Sequence, residues 1–191
     1  MGIMKRYKGR LVILLGCMIS LCWLLNSCVG MAQGIPDGIH PVAGFKKDKY
    51  LGKWYEIARL DNKFERGLSE ISAEYSVRED GGFKVLNRGY NLERGEWKEA
   101  VGKAYFVGND DVGHLKVSFF GPFYGSYVVF DLDEKDYQYA YITSYKKDLL
   151  WFLSRTPVVT DAEKLKFINR IKKDGFNENE LIFVEHGKVN Q

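Results

Sequence analysis

Eight short segments rich in Val, Ile, Tyr, Phe and Trp constrain this chain of 191 residues more than any other feature. Turn residues separate the segments, as in the Gly-Gly pair that ends residues 79–82. No helical pattern lies between them, which favours an all-β, eight-stranded antiparallel up-and-down barrel over a βαβ fold. We predict strands at residues 53–60, 70–78, 83–91, 97–107, 114–120, 126–132, 137–143 and 149–155.

The alternation of side chains inside the segments indicates which face of the sheet points inward. In the second segment Ile71, Ala73, Tyr75 and Val77 share one face, and polar residues share the other. We assign the apolar or small faces to the inside of the barrel. Eight strands are near the size at which side chains fill a barrel or leave room for one small ligand.

One helix and a ninth strand follow the eight segments. Thr160 followed by Glu163 has the pattern of a capping box, and Gly175 ends the helix. Leu165, Phe167, Ile168 and Ile171 are expected to form the apolar stripe that packs on the outside of the barrel. Residues 181–184 are predicted to form the short ninth strand.

The N-terminus has the pattern of an export signal. Four cations lie within the first ten residues, and the apolar segment 11–25 is too short to span a membrane comfortably. Residues 25–28, which end at Cys28, resemble a lipobox, so we predict a lipoprotein signal peptide at 1–27, a lipidated N-terminus and tether at 28–40, and a folded domain at 41–191. The alternative is a plain secretory signal cut near Ala32.

Composition excludes several other classes of protein. All three cysteines lie at or before Cys28, so the remaining domain has no disulfide and must depend on its core. The chain has 28 basic and 25 acidic residues, and without the four leader cations the balance is 24 to 25. This near-neutral domain gives no indication of a nucleic-acid partner.

Three short motifs occur at or beside the first, seventh and eighth predicted strands. Residues 50–59, with Gly52 and Trp54, resemble the first signature of the lipocalin family, in its bacterial form. Asp136 lies in a partial match to the second signature, with Lys135 in place of the usual threonine, and residues 150–157 resemble the third, with Arg155. The resemblance implies that Gly52, Trp54, Asp136 and Arg155 are structural and that Arg155 lies across the Trp54 ring.

The resemblance also implies a function. Lipocalins bind small hydrophobic molecules inside the barrel, and the bacterial branch is associated with fatty acids, lysophospholipids and membrane maintenance. Val29, rather than aspartate, after Cys28 favours attachment to the outer membrane, on its periplasmic face. The residues expected to contact the ligand are Glu56, Tyr75, Asn87, Phe106, Val117, Phe119 and Trp151.

Several alternatives stay open at this point. Lys63 and Arg66 in the first long loop either attract an anionic head group or are ordinary solvated charges. The barrel is either a carrier, whose ligand could also be isoprenoid or haem-like, or a filled structural and interaction module. We expect no enzyme, cofactor or metal site, because the three histidines lack metal-ligand spacing and no nucleophile-elbow motif is present.

Overall fold

The computed structural model describes residues 34–189. A single turn of helix, α1 (Lys47–Tyr50), precedes eight long strands, and α2 (Asp161–Lys173) follows them. The strands are β1 (Gly52–Leu60), β2 (Leu68–Val77), β3 (Phe83–Asn91), β4 (Glu96–Phe106), β5 (His114–Phe120), β6 (Phe123–Leu132), β7 (Tyr139–Thr143) and β8 (Leu150–Ser154), with β9 (Leu181–Phe183) last, after a 3₁₀ turn (Glu178–Glu180). The predicted cysteine anchor and signal segment lie outside the described residues.

The strands close into one antiparallel barrel. Their order is β2-β3-β4-β5-β6-β7-β8-β1-β9, and pairing of β1 with β2 completes the ring. Each of the eight barrel strands pairs with its neighbour in sequence and β9 pairs with β1, so the predicted up-and-down barrel with an outer helix and a ninth strand is confirmed. Because the strands alternate in direction, the loops after β1, β3, β5 and β7 lie at one end, which we call the mouth.

Two apolar cores lie on the two faces of the sheet. The inner core fills the end of the barrel opposite the mouth, where Phe45, Tyr50, Trp54 and Tyr137 are all buried. The outer core lies where α2 packs on the sheet, and the Phe167 ring centroid is 4.9 Å from that of Phe152. The two layers explain why the helix is needed: it covers sheet surface that would otherwise be an exposed apolar patch.

The helix begins as predicted and packs by a narrower stripe than predicted. The Thr160 side chain accepts from the Glu163 amide, and the Glu163 carboxylate accepts from the Thr160 amide, so the capping box is confirmed. Phe167 and Ile171 are buried, whereas Leu165 is exposed. Two residues of helix turn through roughly 200°, which places Leu165 on the face opposite Phe167.

Two further expectations differ from the structure. Val77 is exposed, because β2 ends there and leaves the inner core beyond Tyr75. Ile39, within the expected tether, is buried in the outer core, and its amide donates to the Pro36 carbonyl in a turn. The packed part of the chain therefore begins a few residues earlier than the sequence indicates.

The C-terminal tail completes the wall between β1 and β2. Within the described chain these strands pair only where Gly52–Tyr55 faces Ser72–Tyr75, on the side away from the mouth. Nearer the mouth, the Val184 amide donates to the Ile57 carbonyl, and the Glu70 amide donates to the Glu185 carbonyl. The tail thus supplies the backbone partners that the two strands do not give each other.

Candidate ligand-binding site

A cavity of about 110 Å³ lies inside the barrel between the aromatic floor and the mouth. Its walls come from β1, β2, β3, β5, β6 and β8, with one further side chain, Glu65, from the loop after β1. Most of the lining is apolar or aromatic, and a few polar groups converge on it. This combination is typical of small-molecule binding sites.

The residues expected to contact a ligand are largely brought together here. The structure places six of the seven in the cavity wall: Glu56, Tyr75, Asn87, Val117, Phe119 and Trp151. Phe106 does point inward, but it lies in the floor, with its ring centroid 5.7 Å from that of Phe83 and 5.9 Å from that of Phe45. The alternation of a strand gives the face of a side chain and not its depth in the barrel.

Three tyrosine hydroxyl groups meet at the base of the cavity. The Tyr127 hydroxyl is 2.6 Å from that of Tyr50 and 2.8 Å from that of Tyr75. Burial raises the pKa of all three, and that of Tyr75 to about 12. The cluster is therefore uncharged at neutral pH. Since β2 and β6 lie on opposite sides of the ring, Tyr75 and Tyr127 span the barrel and separate the cavity from the floor.

Two carboxyl groups and one guanidinium group form the polar side of the cavity. Arg59 Nη1 donates to Glu56 Oε1 at 2.9 Å, and Arg59 Nη2 donates to the Glu65 carbonyl at 3.1 Å. The Glu65 carboxylate accepts from Trp151 Nε1 at 2.9 Å and from Asn62 Nδ2 at 2.5 Å. These bonds fix the loop after β1 to the cavity wall.

The protonation of Glu56 is shifted by this environment. Burial raises the pKa of Glu56 well above its ordinary value, and the nearby Glu65 carboxylate raises it further. Arg59 acts in the opposite direction but does not cancel the other two effects. Glu56 therefore holds a proton to a higher pH than a carboxyl group in water.

Asn87 presents an unused acceptor to the cavity. Its side chain lines the cavity wall, and its Oδ1 is buried with no hydrogen-bond partner among the described residues. A buried acceptor without a partner is unfavourable by about 1–3 kcal/mol. A donor group on a ligand would remove that penalty.

The two cations in the loop after β1 point away from the cavity. Lys63 and Arg66 are both exposed, and Arg66 Nη2 donates to Asp61 Oδ2 at 2.5 Å. Arg59 and Glu65, neither of them among the sequence-predicted site residues, are the charges that face inward with Glu56. The sequence pattern of the loop carries no periodicity that would have identified Glu65.

The expected signature residues lie at the closed end. The Arg155 guanidinium carbon is 3.8 Å from the centroid of the Trp54 ring, and its nitrogens donate to three backbone carbonyls, those of Lys49, Lys53 and Tyr137. Gly52 has φ +89°, a conformation that side chains rarely adopt. Asp136 is exposed, and the buried residue of that turn is its neighbour Tyr137.

Two features were looked for in the part of the chain that the structure describes, a metal-binding cluster and a membrane-spanning helix. No group of three or more His, Cys, Asp or Glu side chains within residues 34–189 is arranged to hold a metal ion. None of the helices in the same range is long and apolar enough to cross a membrane.

A closed barrel with one helix outside and a lined cavity within defines a calyx, the architecture of small-molecule binding proteins. A family model described as a lipocalin-like domain matches residues 45–186. The outer membrane lipoprotein Blc of Vibrio cholerae serotype O1 is 58% identical over 162 residues, which cover 85% of this chain and 92% of that protein. The chain therefore belongs to the lipocalin family, in its bacterial outer-membrane lipoprotein branch.

Two further similarities agree with this assignment. The outer membrane lipoprotein Blc of Escherichia coli K12 is 47% identical over 150 residues, covering 78% of this chain and 84% of that protein. The solved structure of insecticyanin from the tobacco hornworm Manduca sexta has a TM-score of 0.64 at 20% identity, covering 81% of this chain and 88% of insecticyanin. The second similarity concerns the fold alone.

Proposed function

We propose that this protein is a lipid-anchored lipocalin that binds a fatty acid or lysophospholipid in its barrel and carries or stores it in support of membrane maintenance. The observation that supports this most is the cavity itself, with apolar walls and an unpartnered Asn87 oxygen. Lipocalins are binding proteins as a class, and no catalytic role is proposed.

The proposed anchor is an acylated Cys28 exposed by removal of residues 1–27. The name lipoprotein, carried by both bacterial relatives, supports acylation, and the words outer membrane in that name support the location. Acyl chains contribute about 0.8 kcal/mol per buried methylene, so two or three chains hold a protein at a membrane stably.

Charge in the cavity favours one part of this ligand class. The raised pKa of Glu56 favours its neutral form, and the charge of Arg59 is balanced by the Glu65 carboxylate on the same side of the cavity. An anionic head group would therefore find no unbalanced cation there, whereas an amine would find carboxyl oxygens that can accept from it. The ligand proposed to fit best is therefore a lysophospholipid with an amine head, such as lysophosphatidylethanolamine, whose amine can bond Glu65 while the acyl chain enters the apolar part.

Size sets a further condition on binding. Pockets for drug-sized ligands are typically about 300–1,000 Å³, and this cavity is about 110 Å³. A long acyl chain therefore requires the loop at residues 61–67 to open or the Tyr75–Tyr127 contact to separate. Binding should therefore change the environment of those residues as well as that of the cavity wall.

Tryptophan fluorescence of the delipidated protein tests the proposal. Added lysophosphatidylethanolamine should change the emission saturably, because Trp151 lines the cavity and bonds Glu65. Trp151→Phe should remove most of the change, whereas Trp97→Phe, a residue outside the cavity wall, should retain it. Ala73→Phe should abolish binding by filling the cavity. Emission that never saturates in the native protein would exclude this ligand class.

A second candidate is a structural or interaction module with a filled barrel. The contact of Tyr75 with Tyr127 across the barrel at 2.8 Å favours it, since opposing walls already meet there. Native mass spectrometry of gently extracted protein separates the candidates: a co-purifying lipid supports the carrier, and a bare chain with a bound protein supports the module.

A further inference from the structure

The wall of the barrel is least continuous at the seam between β1 and β2. In the described chain these two strands pair over four positions, whereas β3 and β4 pair over nine. The pairing ends where Tyr55 faces Ser72. Glu56 and Ile71 come next along the two strands, and both residues line the cavity. The seam that begins there therefore leads directly into the cavity.

The C-terminal tail, residues 184–189, fills this seam. On one side the Val184 amide donates to the Ile57 carbonyl of β1, and on the other the Glu70 amide of β2 donates to the Glu185 carbonyl. The tail thus lies between two strands that do not pair with each other at this level of the barrel. It is a separate piece of the wall, added after the eight strands have closed around the cavity.

Polar contacts, and not apolar packing, attach the tail. The Glu70 carboxylate accepts from the amides of Gly187 at 2.9 Å and Lys188 at 2.8 Å. His186 Nε2 donates to the Glu56 carbonyl at 2.8 Å, where a β2 amide would otherwise bond. None of the described tail residues belongs to either apolar core. A segment with few buried apolar contacts opens at a lower free energy than the core does.

The attachment also depends on a residue in an unfavourable backbone conformation. Glu70 has φ 51°, a region that is costly for any residue with a side chain. Both its amide and its carboxylate bond the tail. Release of the tail lets Glu70 return to an extended conformation, which recovers the strain and lowers the cost of opening.

The gap left by the tail fits one hydrocarbon chain. Neighbouring strands lie about 4.7–4.9 Å apart, so two strands with a segment between them lie about 9–10 Å apart. Carbon atoms in contact lie about 3.5–4.0 Å apart, so a single acyl chain can pass between the two backbones and a pair of chains side by side cannot. None of the described tail residues lines the cavity, so opening leaves the cavity wall in place.

We propose that residues 184–189 form a side door in the barrel wall, through which a single acyl chain enters and leaves the cavity. The inference rests on the proposed function for the identity of the ligand. A lysophospholipid that enters here keeps its head group outside, at the polar tail, while its chain passes between β1 and β2. A door changes the rates of binding and release by the same factor, because it alters the barrier and neither end state.

Thiol labelling tests whether the seam opens. No cysteine follows Cys28, so Ile71→Cys at the seam and Val117→Cys on the opposite wall are made in separate full-length chains. A maleimide label is counted on the peptide that carries each introduced cysteine. Reagent that enters by the mouth reaches both positions, so the ratio of the Ile71→Cys rate to the Val117→Cys rate measures access through the seam.

Loosening the tail should change that ratio. Glu70→Gln should raise it about tenfold, because charge-assisted bonds to the tail are lost, and Glu185→Gln should leave it unchanged. A chain that ends at Phe183 keeps β9, has no tail to close the seam and should give at least the same rise. An unchanged ratio in that shortened chain, or a rise in both rates together through general loosening, overturns the proposal.

Ligand exchange tests whether acyl chains use the door. Stopped-flow fluorescence of Trp151 follows binding and release of lysophosphatidylethanolamine. The chain that ends at Phe183 should bind and release it about tenfold faster with an unchanged dissociation constant. Rates equal to those of the full chain would mean that the ligand passes elsewhere, and the proposal would fail. Absence of saturable binding in every variant would refute the proposed function, while the labelling ratio would still decide whether the seam opens.

Discussion

Glu56 is held in the barrel by groups that act on its proton in opposite directions. Burial and Glu65 favour the neutral acid, whereas the Arg59 guanidinium, 2.9 Å from Glu56 Oε1, favours the carboxylate. The pKa of Glu56 is raised, so the first two effects prevail. An ionisable group whose pKa differs between the folded and unfolded states makes the stability of the fold depend on pH.

The raised pKa fixes the sign of that dependence. Folded Glu56 binds its proton more tightly than unfolded Glu56, so its contribution to stability falls as pH rises from the unfolded pKa of about 4.3 through the folded pKa. Glu56→Gln should flatten this decline. Urea unfolding from pH 4 to 8 measures it, with Glu79→Gln, an exposed carboxylate away from the cavity, as the control. A wild-type minus Glu56→Gln stability difference that is constant with pH would contradict the prediction.

Arg155 connects several segments at the closed end of the barrel, because its planar guanidinium group packs on a ring and donates to backbone carbonyls. Arg155→Ala should lower the free energy of unfolding by about 2–3 kcal/mol, because it removes a cation–aromatic contact and hydrogen bonds to three backbone carbonyls. Arg155→Lys keeps the charge but not the forked donors and should cost less. Denaturant unfolding compares the two variants, and equal losses would show that the charge retained by lysine does not stabilise the fold and that the forked donors carry the whole effect.

At the scale of single residues, the sequence predicts the face of a side chain better than its neighbours. The alternation of side chains predicted that Tyr75 and Phe119 face inward, and both line the cavity. It could not place Arg59, because the β1–β8 register shifts between Glu56 and Ala58, and the bulge brings Arg59 to the same face as Glu56. Glu65 lies in a loop, where no period applies.

Among the elements, the tail after β9 depends on one strained residue. Glu70 has φ 51°, and its carboxylate accepts from the amides of Gly187, Lys188 and Val189. Partial burial alone would raise the pKa of Glu70, but the amide donors outweigh it and the pKa is lowered. The attachment is therefore fully present above the unfolded pKa and weakens as pH falls through the folded one.

Hydrogen exchange tests this attachment. Glu70→Gln removes the charge and keeps the size, so the amides of residues 187–189 should exchange about tenfold faster, as expected for the loss of charge-assisted bonds. Glu185→Gln is the matched control, because within residues 34–189 that carboxylate bonds only the exposed Lys188 ammonium. Unchanged exchange in Glu70→Gln would mean that β9 alone holds the tail.

The elements themselves follow from local signals in the sequence. The capping box of α2 and the eight strand segments were predicted because each depends on residues a few positions apart. The strand ends were less well predicted: β6 begins at Phe123, three residues before its predicted start. Strand ends depend on hydrogen bonds with a neighbouring strand, and those partners are distant in sequence.

For the molecule as a whole, the cavity could be hypothesised from sequence but its size could not. The inner core residues come from strands far apart in the chain, and the volume left between them depends on small displacements of large rings. Tyr50 shows the difficulty, since it fills the centre of the barrel from α1, outside the strand pattern. The burial of Ile39 likewise depends on packing against distant elements.

Ligand binding should stabilise the whole barrel. At a free concentration one hundred times the dissociation constant, lysophosphatidylethanolamine should add about 2.7 kcal/mol, which corresponds to a rise of about 5–10 °C in the melting temperature of a domain of this size. Differential scanning calorimetry with and without ligand measures the shift. Ala73→Phe, whose larger ring occupies the cavity, should show none; a shift of equal size in that variant would place the ligand elsewhere.

The tyrosine cluster affects which ends of a ligand's acyl chain can reach the floor of the barrel. The hydroxyl groups of Tyr50, Tyr75 and Tyr127 bond one another, and Tyr75 and Tyr127 border the hollow. A methyl terminus that reached deeper would have to break a bond between two phenols and could not replace it. A terminus ending in oxygen could accept from the phenol that it displaces. The barrel thus favours tails that stop short of the phenols or bring an acceptor to them.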